Sequence, residues 1–248
     1  TGEKTISLTG TGIDNRGGNL QALGKVTLDA GSGTVDNSGS LMRSGSALTV
    51  SAGRLINRGT QGENQGVEGQ SVSVTADAID NHAGAMRADT TLSITGSGTI
   101  DNSAGLISSG RSVQIQDRNL ASRRQQVTNT GGTLIAAVVL GVNSAGLSGD
   151  GSVLSQGDMS VSLNGDFVNT GDVEANGNVT FQTTGQLTNR AAMRAGNTLT
   201  VGASNIDNTA AGEFSATTTK IGAGGTVTNR GLIDGQDSTV SSAVLDNV

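Results

Sequence analysis

The sequence predicts an all-β chain wound as a right-handed parallel β-helix, a solenoid of about 11–12 rungs with three short strands in each rung of roughly 20 residues. Three observations predict it. An Asn with an apolar residue one or two positions before it recurs as Asn15, Asn37, Asn57, Asn81, Asn102, Asn129, Asn169, Asn189, Asn208, Asn229 and Asn247, mostly at spacings of 18 to 24 residues. An apolar–polar–apolar pair recurs in mid-unit, as in Val26/Leu28, Leu48/Val50, Val72/Val74, Leu92/Ile94, Val113/Ile115, Val161/Leu163, Val179/Phe181 and Leu199/Val201. The composition has 39 Gly, no Pro, Cys, Trp or Tyr, and three Phe. A compact core of this length normally uses large aromatics, whereas a thin core of stacked Leu, Ile, Val and Ala does not need them.

Residues 1–57 are the most regular. Each Asn is followed by a Gly-rich corner, an apolar residue (Leu20, then Leu41 or Met42), a second corner, the central pair, a third corner and a closing apolar residue. Alternation over three to five residues with Gly between is strand-and-turn chemistry. A helix fails here, because each interior Gly costs about 1 kcal/mol relative to Ala. Rungs stacked about 4.8 Å apart would make a rod roughly 50–60 Å long. No rung buries its own apolar face, so stability is a nearest-neighbour sum.

Two physical reasons suit an Asn column. Asn tolerates the left-handed conformation of a sharp corner, and stacked amides hydrogen-bond as a ladder. The 40-residue gap from Asn129 to Asn169 holds two rungs, with Gly149 where an Asn would stand. Gly suits the first reason and interrupts the ladder of the second. Asp often precedes the Asn (Asp14, Asp36, Asp80, Asp101, Asp207, Asp246), and Arg often follows it (Arg16, Arg58, Arg190, Arg230). Stacked Asp repel by a few tenths of a kcal/mol, which a neighbouring Arg offsets. The column reads as a solvated charged edge, with a weak cation site as the alternative.

The chain reads as a single β-helix segment over 1–248, with irregular loops near 60–70 and 116–126. The first is polar, and reads as a surface loop or a widened corner. The second holds Arg118, Arg123 and Arg124, with Arg111 nearby, in a chain of net charge −6. It reads either as a tolerated insertion or as a contact patch for an acidic partner or polyanionic glycan, since loops leaving a rigid scaffold carry function. The run 134–142 loses strict alternation. It is either a core strand whose other face the 116–126 insertion covers, or an exposed apolar patch that meets a partner.

Chemistry is sparse. His82 stands alone at a corner, and the absence of Cys removes thiolate metal sites and Cys-His dyads. No Gly-x-Ser-x-Gly elbow, phosphate loop or repeated calcium nonapeptide occurs, so no catalytic residue, metal site or cofactor is expected. Glycoside hydrolysis needs two carboxylates about 5–10 Å apart, and the acidic residues are scattered or sit in the corner column. A polysaccharide-acting β-helix lyase or hydrolase stays as the enzyme alternative, because stacking brings together residues distant in sequence. The acidic charge does not invite nucleic acid. No apolar run approaches the roughly 18 residues of a membrane-spanning helix.

The units Ala47–Gly59, Gly110–Ile115, Leu187–Arg190 and Gly196–Val201 resemble the repeats of filamentous haemagglutinin and related exoproteins of two-partner secretion, including contact-dependent growth inhibition effectors. The resemblance covers nearly the whole chain except roughly 60–70 and 116–126. It implies a secreted or cell-surface fibre of a Gram-negative bacterium, exported by an outer-membrane partner transporter, with a target-cell receptor or glycan as its ligand. It implies no catalytic residue. The family's amino-terminal secretion domain carries Asn-Pro motifs, and this chain has no Pro. The repeat pattern already runs at Ile6, Leu8 and Ile13 and continues to Val248, so the chain is expected to be a shaft segment of a longer protein. A one-component autotransporter passenger is a further alternative.

Overall fold

In a computed structural model, which describes residues 4–248, the chain is all strand and turn. Three columns of parallel strands stack along the rod in about twelve turns. The first-strand sheet runs from Asn19–Ala22 to Leu232–Asp234, the central sheet from Ile6–Thr9 to Asp237–Ser241, and the third sheet from Gly12–Asp14 to Val244–Asn247. In three successive turns the strands bend through their corners, as Leu41–Ile56, Gly66–Asp80 and Ala85–Gly96.

Register explains the core. Leu48 pairs with Val72, Val72 with Leu92, and Leu92 with Val113. Met42, Val67, Met86, Ile107 and Leu134 stack in the first-strand sheet. All of these are at most 2 % exposed. Aliphatic side chains on one face of a strand meet their equivalents about 4.8 Å away in the next turn, so large aromatics are not required. Thr219 breaks the apolar column yet is fully buried; its hydroxyl donates to the Asp234 carbonyl at 2.6 Å.

The Asn column lies inside from Asn15 to Asn208. Asn15 donates to Asn37 Oδ1 at 2.7 Å, Asn37 to Asn57 at 2.8 Å, Asn57 to Asn81 at 2.7 Å, Asn81 to Asn102 at 2.7 Å and Asn102 to Asn129 at 2.7 Å. A second run joins Asn169, Asn189, Asn208, Asn229 and Asn247 at 2.7–2.9 Å. From Asn15 to Asn208 each amide N–H₂ also caps a carbonyl at the start of a first strand, as Asn57 does for Ala85 at 2.9 Å.

The left-handed explanation of this column does not hold. No ladder Asn has positive φ; the left-handed residue is the second after the Asn: Gly17, Gly39, Gly59, Ala83, Ala104 and Gly131. The Asn is selected by its amide, and the turn strain falls two positions later. Asp before Asn has a local reason too. Its carboxylate accepts the N–H of residue i+2, at 3.0 Å in Asp14/Arg16, 3.0 Å in Asp36/Ser38 and 2.9 Å in Asp101/Ser103, which closes an Asx-turn.

At Gly149 the ladder stops. Asn129 donates to the Ser152 carbonyl instead, and Gly149 has φ +103. The third sheet also breaks there, since Gly146–Ser148 and Phe167–Asn169 belong to separate sheets. Phe167 fills the inside and packs on Phe181 with ring centroids 4.8 Å apart, leaving a cavity of ≈ 10 Å³. Past the break, the corners after Asn169, Asn189 and Asn229 are one residue shorter and need no left-handed residue.

Two sequence-based boundaries move. The first loop occupies 57–65, because the strand resumes at Gly66 and Val67 takes a core position. The run 134–142 is two strands, Thr133–Ala136 and Val139–Asn143, joined by a corner at 137–138. Leu134, Ala136, Leu140 and Val142 point inward, while Val138 and Val139 stay 47 % and 42 % exposed. The insertion does not cover them, because it leaves the rod at the opposite end of the central strand.

Candidate contact surface

The insertion between Ser112–Asp117 and Gln126–Thr128 is anchored from below. Asp117 is buried, and its carboxylate accepts the N–H groups of Asn119 at 2.8 Å, Arg124 at 2.5 Å and Gln125 at 2.6 Å. Burial pushes this carboxyl up; the three N–H groups and the Ser97 hydroxyl outweigh it and hold the carboxyl below its ordinary range. Asn119 Oδ1 in turn accepts the N–H groups of Ala121 and Ser122, both at 3.1 Å. The loop is therefore a tied structure, and it holds Leu120 out at 54 % exposure.

The four candidate arginines part company. Arg123 lies back along the central sheet. Its Nη1 donates to Asn143 Oδ1 at 2.5 Å, the Ser162 carbonyl at 2.9 Å and Ser162 Oγ at 2.8 Å, and its Nη2 donates to Asn164. Its guanidinium is taken up in fixing the loop to two later turns. Arg118 points the other way along the rod, 3.3 Å from Asp77. Arg124 is exposed in the same loop, its backbone N–H on Asp117, whereas exposed Arg111 stands at the opposite end of strand Ser112–Asp117. The loop thus carries Arg118 and Arg124 as its exposed cations and leaves Arg111 apart.

Beneath Arg118 runs an open groove of ≈ 710 Å³, lined by Ser32, Ser51, Gly53, Arg54, Thr75 and Asp77. Arg54, which sequence reasoning did not single out, lies 3.3 Å from Asp80, and Arg58 lies 2.6 Å from the same carboxylate. One buried Asp thus holds two cations at the groove's side. The signal was present as an Arg four residues before Arg58, on the outward phase of its strand. The groove offers hydroxyls, guanidiniums and the Asp77 carboxylate, paired with Arg118, but no aromatic face. Among the described residues no group of three His, Cys, Asp or Glu is placed to hold a metal ion, and His82 is exposed at its corner.

Elsewhere charge is paired from rung to rung. Asp14 is lowered to about 2 by the hydrogen bonds of Arg16, whose guanidinium also lies 3.6 Å from Asp36. On the first-strand sheet, Glu68 bridges Arg43 at 2.7 Å and Arg87 at 3.1 Å. Six rungs on from Glu68 the signs invert: Arg194 bridges Glu213 and Glu174, both at 2.6 Å. Hydrogen bonds from Arg194 hold Glu213 below its ordinary range, and the two carboxylates, Glu213 first, raise Arg194. These triads escaped sequence reasoning because their members lie about 20 residues apart.

No described helix is long and apolar enough to cross a membrane. A family model described as haemagglutinin repeat matches residues 1–67 and 175–248, more than half of the chain. The residues between hold the tied loop and the interrupted ladder. No curated protein and no solved structure matches the chain.

Proposed function

As this chain belongs to the haemagglutinin repeat family, we propose that it is a shaft segment of a large secreted bacterial surface fibre. The fibre extends from a Gram-negative cell and presents binding or toxin regions at a distance. Export runs through an outer-membrane two-partner-secretion transporter. The observation that carries the shaft reading is the stacking of about twelve turns with continuous first-strand and central sheets. A column of mutually bonded rungs resists bending and needs no other support. Family and fold together fit a structural segment of an adhesin.

The Arg118–Arg124 side of the tied loop, with the Arg54 groove, is the contact region of this reading. Its ligand is an acidic glycan or acidic receptor surface on the target cell. Arg123 is kept out of the test because it holds the loop together. A chain with Arg118→Ala and Arg124→Ala should keep its β-rich circular dichroism and lose saturable binding to target cells and to acidic members of a glycan array. Unchanged binding would remove the contact assignment and leave plain shaft. Deleting the partner transporter gene should abolish surface display of the parent fibre; display without it would favour the autotransporter alternative.

A further inference from the structure

Each turn sends one side chain outward from the middle of the first-strand sheet, and these side chains form a column. Arg43, Glu68 and Arg87 stand four, three and two rungs before Ile135. Glu174 and Arg194 stand two and three rungs after it, and Glu213 lies on the fourth, two residues before the column position Ser215, and reaches Arg194 at 2.6 Å. Between the charged triads the column carries Ser108, Ile135 and Leu154. Ile135 and Leu154 are half-buried neighbours in the column, and exposed Val138 follows at the edge of the same rung as Ile135.

The column is self-complementary. One triad is Arg-Glu-Arg, the other Glu-Arg-Glu, and they lie at equal distances on either side of Ile135. We propose that this face pairs with a second copy of the chain, the two rods side by side and antiparallel about a two-fold axis at Ile135. That axis sets Arg87 against Glu174 of the second copy, Glu68 against its Arg194 and Arg43 against its Glu213. Ile135 meets Ile135. The same operation occurs twice by symmetry, as an isologous interface demands. Parallel rods in register would set like charge on like, so charge selects the antiparallel arrangement. Each triad already satisfies its own members, but one keeps a net positive and the other a net negative charge, which steers and orients encounter. Nine rungs at about 4.8 Å and a strand width of about 13 Å give on the order of 550 Å² per copy. That is the low end for a specific interface, so the association is weak and salt-sensitive. It does not depend on what Arg118 contacts.

The test is sedimentation and small-angle X-ray scattering of the 248-residue chain, up to about 1 mM protein. The expected dimer has the length of a single rod and twice its cross-section, and it dissociates at least about tenfold more readily when salt shortens the screening length to a few Å. Arg43→Glu with Arg87→Glu should be monomeric, and so should Glu174→Arg with Glu213→Arg. Mixing the two variants should restore dimer, because each opposed pair of triads is then again of opposite sign. Re-pairing also proves that both variants are folded. Ile135→Glu, a change at the axis alone, should abolish pairing while leaving both triads in place. A wild-type chain that stays monomeric, a dimer that survives either double change, a mixture of folded variants that does not pair, or a particle of doubled length would each overturn the proposal.

Discussion

At the residue scale, the ladder amide is the costliest single group to remove. Asn81 is fully buried, receives the Asn57 amide and donates to Asn102. Asn81→Ala leaves a buried donor and a buried acceptor unpaired, each worth about 1–3 kcal/mol. We expect a loss of about 3 kcal/mol in urea unfolding; a loss below about 1 kcal/mol would show that the ladder only fills space. The opposite sign is expected two residues after a ladder Asn. Ala104 has φ +50, a conformation that costs a non-Gly residue roughly 1–2 kcal/mol. Ala104→Gly should therefore raise stability by about 0.5–1 kcal/mol despite the greater freedom Gly brings to the unfolded chain. The Asn column was legible because an Asn closes every turn except the one at Gly149. The reason for it was not, because φ is a property of the built corner.

At the element scale, the tied loop depends on one carboxylate. Asp117→Ala should free residues 118–125, which would appear as new proteolytic nicking there and faster amide exchange at Arg124 and Gln125, while the rungs above and below keep their protection. The pH dependence has a definite sign. The Asp117 carboxyl sits lower in the folded chain than in the unfolded one. Its contribution is therefore complete above the ordinary Asp value of about 3.9 and is lost as pH falls below that value through the lowered folded one. Loop protection should hold through mild acid and fail only in stronger acid; loss near neutrality would exclude Asp117 as the anchor. The sequence marked this stretch as a break in period and pointed to its three arginines. It could not show that Arg123 folds inward, since its partners Asn143, Ser162 and Asn164 belong to two later turns.

At the scale of the whole molecule, the rod has one weak place. Between Ser148 and Phe167 the third sheet and the Asn ladder both stop, while the other two sheets continue. Opening should begin there, because sub-global stability follows local pairing. Hydrogen exchange of Gly146–Ser148 and Phe167–Asn169 should be faster than that of the equivalent strands two turns away on either side. Uniform protection along the third sheet would refute this.

The sequence by itself determined the repeat, the strand class, the inward columns and the place where the ladder is interrupted. Each of these is a relation between a residue and its own turn, and a period of about 20 residues exposes it. Only the tertiary structure decided which charges meet. Arg43, Glu68 and Arg87 become neighbours because stacking brings positions one turn apart to about 4.8 Å, after corners of unequal length have set the register. A corner one residue longer or shorter redirects the side chains that follow, so the outer face of a solenoid is written in its corners as much as in its strands.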